Sequence, residues 1–333
     1  MHRTIQLCLL ATVILATAPS AQAQLTTNKL PRIGYLRIFS PASTDATQRL
    51  EAFVQGLREI GYVDGKNIAI EQRTADGKEE RLAPLAEELV RLKVDLIVVP
   101  NDLTARAAKR ASSTIPIVML GSGNPIGTGV IASLARPGGN VTGVTSYSVE
   151  LLGKRLALLK ESLPKISRFA YLAETSPGRS ASEEAFAESQ ATAKHLGVTL
   201  RMIQVDRSKP DFNQAFRIIA NERIGAIIPA PSPVINIHQK QIQELIAQQR
   251  KPAIHATARW VDAGGLMSYG PNSLHQASRG AVFVDKILKG AKPADLPVEG
   301  PTKFDFVINL KTAKTLGVDI PQAVLFRADR VIR

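Results

Sequence analysis

Val94-Asp95-Leu96-Ile97-Val98-Val99-Pro100 is a run of branched apolar residues closed by a proline. A strand with one face in water alternates apolar and polar residues. A run without that alternation is a strand covered on both faces, as in a parallel sheet between two helix layers. The flanking stretches agree. Upstream, Leu82, Leu85, Leu89 and Val90 recur at helical spacing, with Pro84 tolerable near the helix start. Downstream, Thr104 to Ser112 reads as an Ala/Arg/Lys-rich helix, and Ile115-Pro116-Ile117-Val118-Met119-Leu120 as another buried strand. Further back, Arg32 to Leu36 is a strand. Leu50, Phe53, Val54 and Leu57 then share one helix face that Gly61 ends, and Ile68 to Gln72 alternates as a strand.

The second half repeats this grammar. Phe169-Ala170-Tyr171-Leu172 echoes Ile33-Gly34-Tyr35-Leu36, and Gly225-Ala226-Ile227-Ile228-Pro229 echoes Asp95 to Val99. Lys251-Pro252-Ala253-Ile254 echoes Ile115-Pro116-Ile117-Val118, in the same order along the chain. Helices near Ser182 to Leu196, Phe212 to Asn221 and His238 to Gln249 fill the intervals. Two β-α-β-α-β halves predict an α/β protein of two Rossmann-like lobes with parallel sheets. The tail adds a helix (Leu274 to Leu288), a strand (Phe304 to Asn309) and a short helix (Lys311 to Leu316), too little for a third lobe. The expected lobes are 30–145 with 270–293 and 146–269 with 294–333. The chain then crosses between them near Thr145-Ser146-Tyr147, near Ser268-Tyr269-Gly270 and between Ala291 and Pro297, forming a three-crossing hinge.

The bulk numbers suit this plan. The 333 residues are 44% hydrophobic and 21% charged, enough for two cores. The net charge is +13, but Lys and Arg are scattered among acids, and aromatics are only 5%. Nucleic acid is therefore not an expected partner; a mild pull on anions is. Residues 1–23 have the three parts of a secretory signal peptide: basic Met1-His2-Arg3, apolar Ile5 to Ala18, and the small-residue ending Ala21-Gln22-Ala23. That apolar run is short of the roughly 20 residues that span a bilayer. Export to the periplasm with cleavage after Ala23 is expected. Cys8, the only cysteine, lies inside the leader, so no disulfide or thiolate metal site is expected beyond it.

Ligands of open parallel sheets bind outside the carboxyl ends of the strands. The loops there offer Ser40, Asn101, Asp102, Ser122 and Asn124 in the first half, and Glu174, Ser176, Ser232 and Thr257 in the second. Each has a plainer reading as a helix cap; taken together, facing one crevice, they read as binding groups. Asp102 either pairs a ligand amine or caps the helix after it. Tyr147 and Tyr269, at the crossings, either stack on a flat ligand or pack the hinge. No chemistry competes with binding. Gly121-Ser122-Gly123-Asn124-Pro125-Ile126-Gly127 has the wrong glycine spacing for a dinucleotide fingerprint, and no phosphate loop or G-x-S-x-G elbow occurs. The histidines lack metal-ligand spacing, although His255, after a strand, is a candidate for the crevice wall. No cofactor, no metal and no enzymatic activity are expected.

Long runs carry a likeness to a known family. They are Leu57-Arg58-Glu59-Ile60-Gly61-Tyr62-Val63-Asp64-Gly65-Lys66-Asn67-Ile68, Ser133-Leu134-Ala135-Arg136-Pro137-Gly138-Gly139-Asn140-Val141-Thr142-Gly143 and Ala263-Gly264-Gly265-Leu266-Met267-Ser268-Tyr269-Gly270. Lys286 to Glu299 and Phe306 to Lys314 complete the set. Together they resemble the ABC-transporter substrate-binding family whose better-known members serve tryptophan or tyrosine uptake. The resemblance implies a type I periplasmic-binding fold, capture of a small amino-acid-like or carboxylate-bearing ligand between lobes, and a monomer working with an ABC permease in the inner membrane. A periplasmic sensing module for a receptor is the alternative. The family commonly has Gly-Thr-Pro where this chain has Asn101-Asp102-Leu103, which detaches the ligand's identity from the resemblance.

Overall fold

The computed structural model describes residues 30–39, 44–146, 151–175 and 181–333. The leader and the candidates Ser40, Tyr147 and Ser176 lie outside the described residues. The first half runs β1 (Arg32–Arg37), α1 (Thr44–Glu59), β2 (Ala69–Thr74), α2 (Leu82–Arg91), β3 (Leu96–Val99), α3 (Asp102–Ala111), β4 (Ile117–Ser122) and β5 (Val141–Thr145). The second runs α4 (Leu151–Ser162), β6 (Arg168–Glu174), α5 (Ala181–His195), β7 (Thr199–Val205), α6 (Phe212–Asn221), β8 (Ala226–Pro229), α7 (Pro233–Ile237), α8 (Gln239–Gln248), β9 (Ile254–His255), α9 (Ala258–Asp262) and β10 (Met267–Pro271). The tail adds α10 (Ser273–Leu288), β11 (Phe304–Asn309), α11 (Leu310–Leu316), α12 (Gln322–Leu325) and β12 (Arg330–Ile332).

The first sheet is parallel, in the order β2-β1-β3-β4-β5. Its central strand shows why the opening run does not alternate. Ile97 and Val99 enter one core with Leu82, Leu89 and Leu103 of α2 and α3. Leu96 and Val98 enter the opposite core with Phe53 and Leu57 of α1 and Ala277, Ala281 and Val284 of α10. Both faces are dry, so both parities must be apolar. The second half repeats the geometry: β7-β6-β8 is parallel, and Phe169 pairs with Ala226 as Ile33 pairs with Leu96. A bridge between Ile227 and Ala253 carries this sheet on to the order β9-β10-β11-β12. One core cluster spans this half, from Leu152 to Val324.

Both strands of the tail join the second sheet, and β11 runs antiparallel to β10, unlike the all-parallel sheets expected, with Tyr269 opposite Phe306. What returns to the first half is α10, packed along α1. The third crossing also moves. Val298 N–H donates to the Leu134 carbonyl, Glu299 N–H to Gly143, and Thr145 N–H to Glu299, so the chain stays on the edge of the first sheet through Glu299. It leaves only between Gly300 and Lys303, beside the second crossing at Pro271-Asn272, where Asn272 N–H donates to the Lys303 carbonyl at 2.9 Å.

Candidate ligand-binding site

A cleft of about 210 Å³ opens where the strand ends of the two halves meet. Ile38 and Phe39 enter from behind β1, Asn101 and Asp102 from behind β3, and Gly121 from the end of β4. The second half contributes Pro231, Ala256 and Thr257, and the hinge side supplies Ser146, Pro271 and Gln276. Much of the wall is apolar, with a few polar groups, the usual build of a small-molecule site.

Of the expected residues, Asn101, Asp102 and Thr257 line this cleft. Asn101 is the N-cap of α3: its side chain accepts from Thr104 N–H at 3.1 Å, and Thr104 reciprocates in a capping box. Asp102 therefore does not cap. Its carboxylate reaches across to the loop after β4, accepting from the Ser122 hydroxyl, from Gly123 N–H at 2.7 Å and from Asn124 N–H at 3.2 Å. Burial raises the Asp102 carboxyl above the usual range, and these donors pull it back.

The other described candidates are engaged elsewhere. Ser122 is fully buried; its hydroxyl serves Asp102 and its carbonyl accepts from Thr145 Oγ1. Asn124 closes its own turn by accepting from Gly127 N–H. Glu174 is buried, and accepts from Ser232 Oγ and Val234 N–H at 3.0 Å each while pairing with Arg207 at 3.3 Å. Ser232 caps α7. Tyr269 packs the hinge, stacked on Phe304 with centroids 5.8 Å apart. His255 is also withdrawn: it is 1% exposed, stacked on Trp260 at 4.6 Å, and neither ring nitrogen has a hydrogen-bond partner. Burial, helped by nearby Arg155, lowers its pKa to about 3.

The groups that sequence reasoning missed are cationic. Arg49 of α1 lines the cleft, donating to the carbonyls of Pro100 at 3.0 Å and Leu120 at 3.4 Å, while its Nε is buried without a partner. Arg155 of α4 is 4% exposed, lines the cleft from the hinge side, and donates from Nε to the Tyr269 carbonyl at 2.7 Å. Burial lowers its pKa to about 10, which leaves it charged at neutral pH. Behind Phe39 lies a recess of about 30 Å³ lined by Arg37 and Arg49. Arg37 is buried, bonded to Gln72 at 3.3 Å, with Nε and Nη1 unpartnered. Among the described residues no carboxylate lies within ion-pair distance of Arg37, Arg49 or Arg155. Arg259 reaches across from α9, its guanidinium 5.8 Å from the Phe39 ring centroid. A signal for Arg155 does exist: it interrupts Leu151-Leu152-Gly153-Lys154-Arg155-Leu156-Ala157-Leu158-Leu159, a helix apolar nearly all round.

No group of His, Cys, Asp and Glu among the described residues is arranged to hold a metal. No helix among them is long and apolar enough to cross a membrane.

Comparison with known proteins bears on this geometry. A family model described as ABC transporter substrate binding protein matches residues 35–332. A tyrosine-binding protein of Clostridioides difficile (strain R20291) is 25% identical over 302 residues, 90% of this chain and 85% of that protein. Among solved structures, an ABC domain from Streptococcus pneumoniae in complex with L-Trp superposes with a TM-score of 0.79 at 27% identity, over 91% of this chain and 100% of that one. A conserved domain protein from Vibrio cholerae gives a TM-score of 0.79 at 28% identity, with the same coverage.

Proposed function

Since the chain belongs to the ABC transporter substrate binding protein family, we propose that it is an exported solute receptor that holds a small amino-acid-like or carboxylate-bearing molecule between its lobes and delivers it, unchanged, to an inner-membrane permease. The observation that carries this reading is the cleft: residues after β1, β3 and β4 face residues after β8 and β9 across one space. A ligand there touches both halves only when they are together, so binding draws an open–closed equilibrium toward closure. In this proposal one lobe comprises 30–145 with 272–299, the other 151–271 with 304–333, and three short crossings set the bending axis. The protein works as a periplasmic monomer and catalyses nothing.

Two measurements test it. Mass spectrometry of the chain recovered from a periplasmic extract is expected to give an N-terminus at Gln24. Thermal-shift screening over amino acids, organic acids and aromatic acids is expected to give a ligand that raises Tm, contracts the protein in small-angle scattering and is recovered intact. Conversion of that ligand, or a Tm rise with no contraction, rejects the reading.

A further inference from the structure

We infer that the cleft selects a carboxylate that carries no ammonium group on the neighbouring carbon, in preference to the corresponding amino acid. The inference rests on the cleft being the capture site and concerns only which class of molecule it takes.

A free α-amino acid presents two charges at one end. Its carboxylate needs donors, and its ammonium needs acceptors, of which a carboxylate is the strongest. The donors are in place. Arg155 is nine-tenths buried and has an acid partner nowhere among the described residues. A charge held in that condition is costly until an anion arrives. Arg49 lines the same space with its Nε unpartnered, and Arg37 stands behind it in the recess.

Among the described residues, no free carboxylate faces the cleft to receive an ammonium. Asp102 is the only carboxylate among the described residues that line the cleft. Both its oxygens are taken: Oδ1 by the Ser122 hydroxyl, and Oδ2 by the N–H groups of Gly123 and Asn124. Its place in this loop is to hold the β4 turn, not to face an ammonium. Gln276 is similarly committed, accepting from Ser146 Oγ at 3.0 Å and donating to the Thr145 carbonyl. Among the described residues, the charges that decide the field are thus the guanidinium groups of Arg49 and Arg155, which have no carboxylate partner there, and one carboxylate already occupied. A zwitterion would bring its positive end into that field. An acid would not. Ile38, Phe39, Leu103 and Ile237 leave room for an apolar body behind the carboxylate.

The test is titration calorimetry of the leaderless chain with matched sets: 3-phenylpropionate, L-phenylalanine and phenethylamine; 4-methylpentanoate, L-leucine and isopentylamine; succinate and L-aspartate. In at least one set the acid is expected to bind at least tenfold more tightly than the amino acid, with no heat from the amine. Sodium sulfate is expected to compete weakly. R155Q is expected to lose at least tenfold in acid affinity while keeping its circular dichroism and cooperative unfolding. R155K, which restores the charge but not the fork, is expected to recover part of the loss. D102N is expected to leave the order of acid over amino acid unchanged. Amino acids binding as tightly as their acids, or D102N abolishing amino-acid binding alone, overturns the inference and leaves capture between lobes intact. Silence from every set overturns it too. Only failure of the wider screen to find any ligand that contracts the protein removes the reading on which it rests.

Discussion

His255 is a buried imidazole with no hydrogen-bond partner, and its folded pKa of about 3 lies far below the ordinary 6.5. The sign follows from linkage. Between those values the unfolded chain binds a proton that the folded chain refuses, so stability is complete above about pH 6.5 and is lost as pH falls toward 3. The slope attributable to this one group approaches about 1.4 kcal/mol per pH unit. Urea midpoints measured from pH 4 to 8 are expected to fall on the acid side, and His255→Leu to flatten that fall. An equal slope in the variant contradicts the assignment. Gly121 gives a second expectation at this scale. Its φ is +148°, and a Cβ there would lie 3.1 to 3.2 Å from Ser146 Oγ, Arg49 Nη2 and Gln276 Oε1. Gly121→Ala is expected to lose about 1–3 kcal/mol of stability from the strained backbone and to weaken ligand binding. Denaturation and calorimetry of one variant check both.

At this same scale the sequence was least transparent. Hydroxyl, amide and carboxyl groups after strands mark the loops that reach the cleft, and Asn101, Asp102 and Thr257 do reach it. The residue type says nothing of what else those loops must satisfy. Ser122, Asn124, Glu174 and Ser232 stabilise the turns themselves. Arg49 and Arg155 sit on helices, where basic residues ordinarily face water; only the packing of α1 and α4 against strand ends turns them inward.

Elements were more legible where one physical cause dominates. Strands covered on both faces and helices with a single apolar stripe declare themselves, and β1, β3, β4, β6 and β8 lie where the apolar runs predict. The helix α4 has buried residues on nearly every side and therefore no stripe to read. The strand β12 is a three-residue edge whose pairing partner, β11, alone defines it. The contact of α1 with α10 was equally hidden, because it joins helices more than two hundred residues apart. Gly56 makes that contact possible. A Cβ at Gly56 would lie 2.6 Å from the Ser278 carbonyl oxygen, a backbone atom that cannot swing aside. Gly56→Ala would gain about 1 kcal/mol of helix propensity. It is nonetheless expected to destabilise the protein, since overpacking costs about 1–3 kcal/mol. Guanidinium denaturation decides the sign; a stabilised variant would mean that the helices part at no cost.

At the scale of the molecule, duplication made the architecture readable, and the tail obscured it. Two halves with the same strand order require a crevice between their strand ends; nothing in the tail's composition states which sheet takes each piece. Among the described residues, Arg259 makes a contact with Phe39 across the cleft. If it operates in the closed form alone, a double-mutant cycle on ligand affinity with Phe39→Leu and Arg259→Gln is expected to give a coupling of about 0.5–1 kcal/mol. A coupling of zero would mean that the pair is not part of the bound state.

Arg155 grips the Tyr269 carbonyl on β10, two residues before the chain leaves for the first half. In the proposed binding mode, an anion on that guanidinium would press beside the fulcrum of the molecule, not at the tips of its jaws. If the lobes bend about the three crossings, a small displacement there grows toward the rim, as a short push near a door's pivot sweeps its far edge. Occupancy would then be legible from outside as a change in jaw angle, with no separate relay between pocket and surface.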